Sequence, residues 1–66
     1  MKLDRTKYQL ALARACLTPA ELCEKADLPR PSLNNATKGR GVRPATLGKI
    51  ARALGVDVTE IMEQEQ

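Results

Sequence analysis

The sequence predicts an all-α fold, in which five short helices form one compact domain over residues 1–66. Apolar residues recur at i, i+3, i+4 and i+7 in separate segments, as on the buried face of a helix. β-Branched and aromatic residues are sparse and never alternate over the length of a strand. Helix-capping and helix-stopping residues bracket the periodic segments. A chain of this length has a small core, so each large apolar residue counts.

The first helix is indicated by Tyr8, Ala11, Leu12 and Ala15, which share one face at helical spacing. We expect this face to be buried. Residues 1–5 are predicted to be a frayed lead-in, and either Asp4 or Thr6 can cap the helix that follows.

The second helix has a strong start signal. Thr18 and Glu21 have the spacing of a capping box, and Pro19 occupies the first helical position, where a missing N–H costs nothing. We expect the helix to end near Ala26. Asp27 then adopts the left-handed conformation, which Asp tolerates better than most residues.

A third helix is predicted from about residue 30 to residue 38, with Gly39 as its stop. Pro31 falls in its first turn, where no intrahelical donor is lost. Leu33 and Ala36 are expected in the core. Two short helices joined by a tight turn form a helix-turn-helix.

A fourth helix begins at Pro44 and stops at Gly55, after a basic loop at residues 40–43. Its apolar face is the cleanest in the chain and comprises Leu47, Ile50, Ala51 and Leu54. Gly48 costs about 1 kcal/mol relative to alanine inside a helix. We expect a close helix contact as the reason for it.

A fifth short helix is predicted after Asp57, which forms a second capping box with Glu60. Val58, Ile61 and Met62 lie on one face of it. Residues 63–66 are expected to fray.

Positive charge is concentrated in the middle of the chain, although the net charge is only +3. Residues 28–56 contain six basic residues and no acidic one: Arg30, Lys38, Arg40, Arg43, Lys49 and Arg52. A segregated basic surface is the electrostatic footprint of a protein that binds nucleic-acid phosphates. The alternative is a solvated face that only keeps the domain soluble.

Several classes of function are excluded on composition. The chain has no histidine and only two cysteines, so neither a disulfide framework nor a zinc site of familiar spacing is expected. Paired carboxylates in an apolar setting and Gly-rich nucleotide loops are also missing, and we expect no catalysis, cofactor or small-molecule ligand. The charged N-terminal stretch predicts neither a signal peptide nor a membrane span, and therefore a cytoplasmic protein.

Two runs of the sequence resemble the lambda-type phage repressors, the Cro proteins and their bacterial relatives. They are LTPAELCEKADLPRPSLNNATKGR (Leu17–Arg40) and TLGKIARALGVDVTEIM (Thr46–Met62). The resemblance implies a five-helix fold that binds double-stranded DNA. It also implies that the third helix lies in the major groove with its N-terminal residues facing base edges.

Carried over position by position, the resemblance implies two sets of contacts. The residues that would face bases are Arg30, Pro31, Ser32, Asn34 and Asn35. The residues that would face phosphates are Thr18, Pro19, Lys38, Arg40 and Arg43. For the two asparagines the alternative is polar filler on an exposed helix face.

Three positions depart from the family pattern. Pro19 replaces a glutamine that in many relatives binds a phosphate and the recognition helix, so that Thr18 or the amides of the second helix would have to replace its bonds. Cys23 stands at a usually small position where the two helices approach. Asp27 and Cys16 stand where turn glycines are common, so Cys16 is expected to be exposed.

The sequence therefore favours a transcriptional regulator, acting as a repressor and binding two half-sites as a homodimer. The surface most available for pairing is the fifth helix, unless its apolar residues are used in the monomer core. The alternative is an antitoxin or another protein-interaction module of the same fold, which would need an additional segment to wrap its partner. A relic of the fold that no longer binds DNA is a third possibility.

Overall fold

The computed structural model describes residues 2–63 and contains four α-helices and one 3₁₀ turn in that range. The elements are α1 (Arg5–Ala15), α2 (Pro19–Ala26), α3 (Arg30–Thr37), α4 (Pro44–Leu54) and the 3₁₀ turn Val58–Glu60. The bounds of the first four helices agree with the capping and stop signals of the sequence. None of the helices in the described part combines the length and apolarity that crossing a membrane requires.

The helix ends show why these segments form. The Thr18 hydroxyl accepts the Glu21 N–H at 3.2 Å, and the Glu21 carboxylate accepts the Thr18 N–H at 3.0 Å, which completes the capping box. Three helices end on a left-handed residue, namely Cys16 (φ 56°), Asp27 (φ 57°) and Gly55 (φ 73°). After each one, the next N–H bonds back to a carbonyl of the last turn, as in the Schellman motif.

The core is centred on α4, which packs against α1, α2 and the 3₁₀ turn, while α2 also packs against α3. The five large side chains that are fully buried come from three helices and the segment after the 3₁₀ turn: Leu22, Leu33, Leu47, Ile50 and Ile61. On α1, Tyr8 and Ala11 are buried, whereas Leu12 and Ala15 are only half-buried at its edge.

The fifth helix is wrong as a prediction, since the chain makes only a 3₁₀ turn of three residues there. The Asp57–Glu60 capping box is present, with the Asp57 N–H donating to the Glu60 carboxylate at 3.3 Å. The chain then becomes extended because Leu3 and Met62 form an antiparallel bridge. Backbone pairing with the N-terminal residues therefore takes the place of further helical turns.

The frayed lead-in is also wrong. Leu3 is buried in the core, and the Asp4 N–H donates to the Ile61 carbonyl at 2.8 Å. The Glu63 N–H donates to the Lys2 carbonyl at 2.9 Å, so Glu63 is paired too. The rest of the predicted frayed tail, residues 64–66, lies outside the described residues. The start of α1 is thus fixed to the end of the described chain.

Gly48 has no close helix contact, contrary to expectation. A Cβ atom built at this position would meet no atom outside its own helix turn within 4 Å. Packing therefore does not require glycine in the middle of α4.

Candidate nucleic-acid interface

The first feature of the candidate interface is the outer face of α3. Leu33 and Ala36 are buried, as expected, and turn the opposite side of the helix toward solvent. We call this exposed side the α3 ridge; it consists of Arg30, Pro31, Asn34 and Asn35. Ser32 is half-buried beside it. The ridge thus presents one guanidinium group and two amides in two turns of helix.

Pro29 and Pro31 determine where α3 begins. Pro29 is the N-cap residue in extended conformation, and its carbonyl accepts the N–H groups of Ser32 and Leu33. Pro31 stands in the first turn, where no donor is lost. At the other end the Thr37 hydroxyl donates to the Asn34 carbonyl at 3.0 Å. The side chains of the ridge take no part in these bonds and can meet a ligand.

Two grooves run along the sides of the ridge. The first, which we call the α1 groove, separates α3 from α1, has a volume of about 200 Å³ and is also lined by Pro19. The second, the loop groove, separates α3 from the chain that leads into α4 and has a volume of about 210 Å³. Ser32 and Asn35 line the loop groove, whereas Arg30 and Asn34 line the α1 groove. The ridge is therefore a projecting edge with accessible space on both sides.

The basic loop, taken from here on together with Lys38 and Gly39 as residues 38–43, forms the far side of the loop groove. Val42 is buried and anchors the loop, while Lys38 and Arg40 are exposed. Arg43 is exposed at the N-cap of α4 and lines the groove opposite Ser32 and Asn35. No ion pair within the described residues involves these three basic side chains. Their charge is available to an anion.

The start of α2 offers few free donors. Pro19 has no N–H, and the N–H groups of Thr18 and Glu21 are both used in the capping box. Hydrogen bonds that the Glu21 carboxylate accepts from Thr18, first from its backbone N–H and then from its side chain, lower the pKa of that carboxyl. The Ala20 N–H, in the first turn of the helix, remains for a phosphate, next to the negative charge of Glu21.

The α1 groove also contains two residues that sequence reasoning missed, Arg5 and Gln9. Both are exposed on α1 and face Arg30 and Asn34 across the groove. Tyr8 lies on the groove floor, where burial raises the pKa of its hydroxyl, the Cys23 thiol adds to the rise and Arg30 opposes it. Only the charge of Arg5 was visible in the sequence, because its place beside α3 depends on the packing of α1.

The remaining sequence-based expectations concern the cysteines and metal ligands. Cys16 is exposed, as expected, whereas Cys23 is buried, and both are free thiols. Within residues 2–63 no three His, Cys, Asp or Glu side chains are grouped so that they could hold a metal ion.

Comparison with known families gives one result. Residues 9–66 match the family model described as the Cro/C1-type HTH DNA-binding domain, which covers the helix-turn-helix and all the elements after it. No curated protein and no solved structure matches the chain.

Proposed function

The chain belongs to the family of Cro/C1-type helix-turn-helix DNA-binding domains, and on this premise we propose that it is a transcriptional repressor that reads double-stranded DNA with α3. The observation that supports this best is the α3 ridge, which projects between two grooves and carries side chains suited to base edges. The family match supports DNA as the ligand.

Base reading is assigned to the ridge and Ser32. Arg30 has the donor geometry for the O6 and N7 atoms of guanine, and Asn34 or Asn35 can pair with the N6 and N7 atoms of adenine. Pro31 has no donor and can contact only a thymine methyl group. Ser32 is half-buried, so it reaches a base edge only if the ridge enters the groove deeply.

Phosphate binding is assigned to the flanks. Lys38, Arg40 and Arg43 would lie along one side of the major groove and neutralise phosphates, which adds affinity and salt dependence but no sequence information. Thr18 and Pro19 at the start of α2 would approach the backbone on the other side. The free charges of the basic loop support the first assignment more strongly than the capping box supports the second.

Two copies of the chain are proposed to bind one operator. A single small module buries too little surface for tight specific binding, and two half-sites one helical turn apart overcome this limit. Ile61 is fully buried, and Val58 and Met62 pack against the core, so these residues are used within the monomer. The pairing surface therefore has to include other residues.

The test is selection from a random-sequence DNA library, followed by titration. The enriched duplex and a scrambled duplex of the same composition are titrated by fluorescence anisotropy at two salt concentrations. We expect the enriched duplex to bind about a thousandfold more tightly or better, at a stoichiometry of two chains per duplex. Failure to enrich any sequence, with equal and salt-sensitive binding to both duplexes, would contradict the proposal. A protein partner would then be the better candidate.

A further inference from the structure

The α1 groove is lined by basic and polar side chains from two helices. Its walls carry the guanidinium groups of Arg5 and Arg30 and the amides of Gln9 and Asn34, and no acidic residue lines it. Arg5 forms no ion pair with any described residue. A groove of this composition suits an anion, and the guanidinium fork suits the oxygens of a phosphate.

The α1 groove lies beside the start of α2, where Thr18 and Pro19 were assigned to approach a DNA phosphate. At the start of α2, Pro19 lacks an N–H, and the capping box occupies the N–H groups of Thr18 and Glu21. The Glu21 carboxylate adds a negative charge there. A phosphate near Pro19 therefore finds few donors on α2, and the exposed side chains of Arg5 and Gln9 line the same groove as Pro19.

The start of α1 is held in place, so the backbone that carries Arg5 is fixed before a ligand binds. The Asp4 N–H donates to the Ile61 carbonyl at 2.8 Å, and the Asp4 carboxylate accepts the Lys7 N–H at 3.0 Å. Arg5 is the first residue of the helix that this cap begins. Preorganisation of this kind lowers the entropic cost of binding.

We propose that α1 is a further DNA-binding element, in which Arg5 and Gln9 hold one backbone phosphate across the α1 groove from α3. The two side chains would supply the donors that Pro19 does not provide. This inference rests on the proposed function, because it takes α3 to lie in the major groove.

The test compares three variants on the enriched and the scrambled duplex. Arg5→Gln removes the charge with little effect on helix propensity, and Gln9→Ala removes the amide. Arg14→Ala is the matched control, because Arg14 is an exposed arginine on the same helix but lines a different groove, next to Glu60. Far-UV circular dichroism establishes that each variant retains its helices.

We expect Arg5→Gln to weaken binding to both duplexes about tenfold and to lower the salt slope by about one unit. Gln9→Ala should weaken both severalfold without changing the slope, and Arg14→Ala should change binding less than about twofold. If Arg5→Gln behaves like Arg14→Ala while the wild type still prefers the enriched duplex, the inference fails and the proposed function stands. If the wild type prefers no duplex, both fail.

Discussion

At the scale of single residues, the two glycines at positions 48 and 55 have opposite roles in the same helix. Gly48 lies inside α4 with open space where a Cβ would stand. Gly55 ends the helix at φ 73°, a conformation that costs other residues about 1 kcal/mol or more. The sequence predicted the role of Gly55 from its place after the last apolar residue. It gave no measure of the free space at Gly48.

We therefore expect Gly48→Ala to raise the free energy of unfolding by about 1 kcal/mol and Gly55→Ala to lower it by about the same amount. Urea denaturation followed by circular dichroism measures both. A loss of stability in Gly48→Ala would mean that something does approach this position closely.

A left-handed residue other than glycine was predictable at Asp27, which precedes the Leu-Pro pair that follows α2. At Cys16 only the resemblance to the family, in which a turn glycine is common there, indicated a turn. Both adopt positive φ. Local sequence can indicate a left-handed residue because the steric limits on φ and ψ depend mainly on the residue itself.

At the scale of elements, the capping box of α2 makes its stability depend on pH. Hydrogen bonds from Thr18 lower the pKa of Glu21 below its ordinary value of 4.5, so the folded chain binds this proton less readily than the unfolded chain. The stabilisation is present above that value and is lost as the pH falls through and below it. Asp57 acts in the same direction, because bonds from the Thr59 hydroxyl and N–H lower its pKa below 3.8.

We expect the melting temperature of the wild type to fall between about pH 6 and pH 3, and that of Glu21→Gln to fall less. Glutamine keeps an acceptor for the Thr18 N–H but does not titrate. Thermal melts across this pH range decide the matter. Parallel curves for the two proteins would show that the Glu21 carboxylate does not stabilise the fold through its charge.

The pairing of the chain ends gives a second prediction at this scale. Leu3 is 2% exposed and bridges to Met62, so Leu3→Ala should cost about 2–4 kcal/mol. Leu10 is 60% exposed, and Leu10→Ala should change stability by less than about 0.5 kcal/mol. Denaturation of the two variants makes the comparison, and equal small effects would show that the N-terminal residues are not part of the core.

The errors in the predicted elements have one physical cause. The four helices carry local signals, such as the Thr18–Glu21 box and Gly55, and these were sufficient. The fifth helix and the frayed lead-in fail together, because the segment that holds Leu3 pairs with the segment that holds Met62. A local sequence pattern does not predict a contact between residues as far apart in the chain as Leu3 and Met62.

At the scale of the whole molecule, the fold brings basic residues of separate segments to the two sides of α3. The clustering of basic residues in the middle of the chain was visible in the sequence, and the structure leaves Lys38, Arg40 and Arg43 without ion pairs among the described residues. The place of Arg5 and Gln9 beside α3 was not visible, since it depends on how the packed core positions α1 relative to α3. A surface assembled from distant segments is the part of a site that sequence patterns predict least.

The central claim is that α3 reads bases while the basic loop binds the backbone, and a comparison of Asn34→Ala with Arg40→Ala tests it most directly. Each variant is titrated against the enriched duplex and against single-base-pair substitutions of it. We expect Asn34→Ala to lose discrimination of about 1–3 kcal/mol at one base pair, and Arg40→Ala to weaken binding to all duplexes alike and to lower the salt slope by about one unit. Uniform weakening by both variants, with every base preference intact, would contradict the assignment of α3 as the recognition helix.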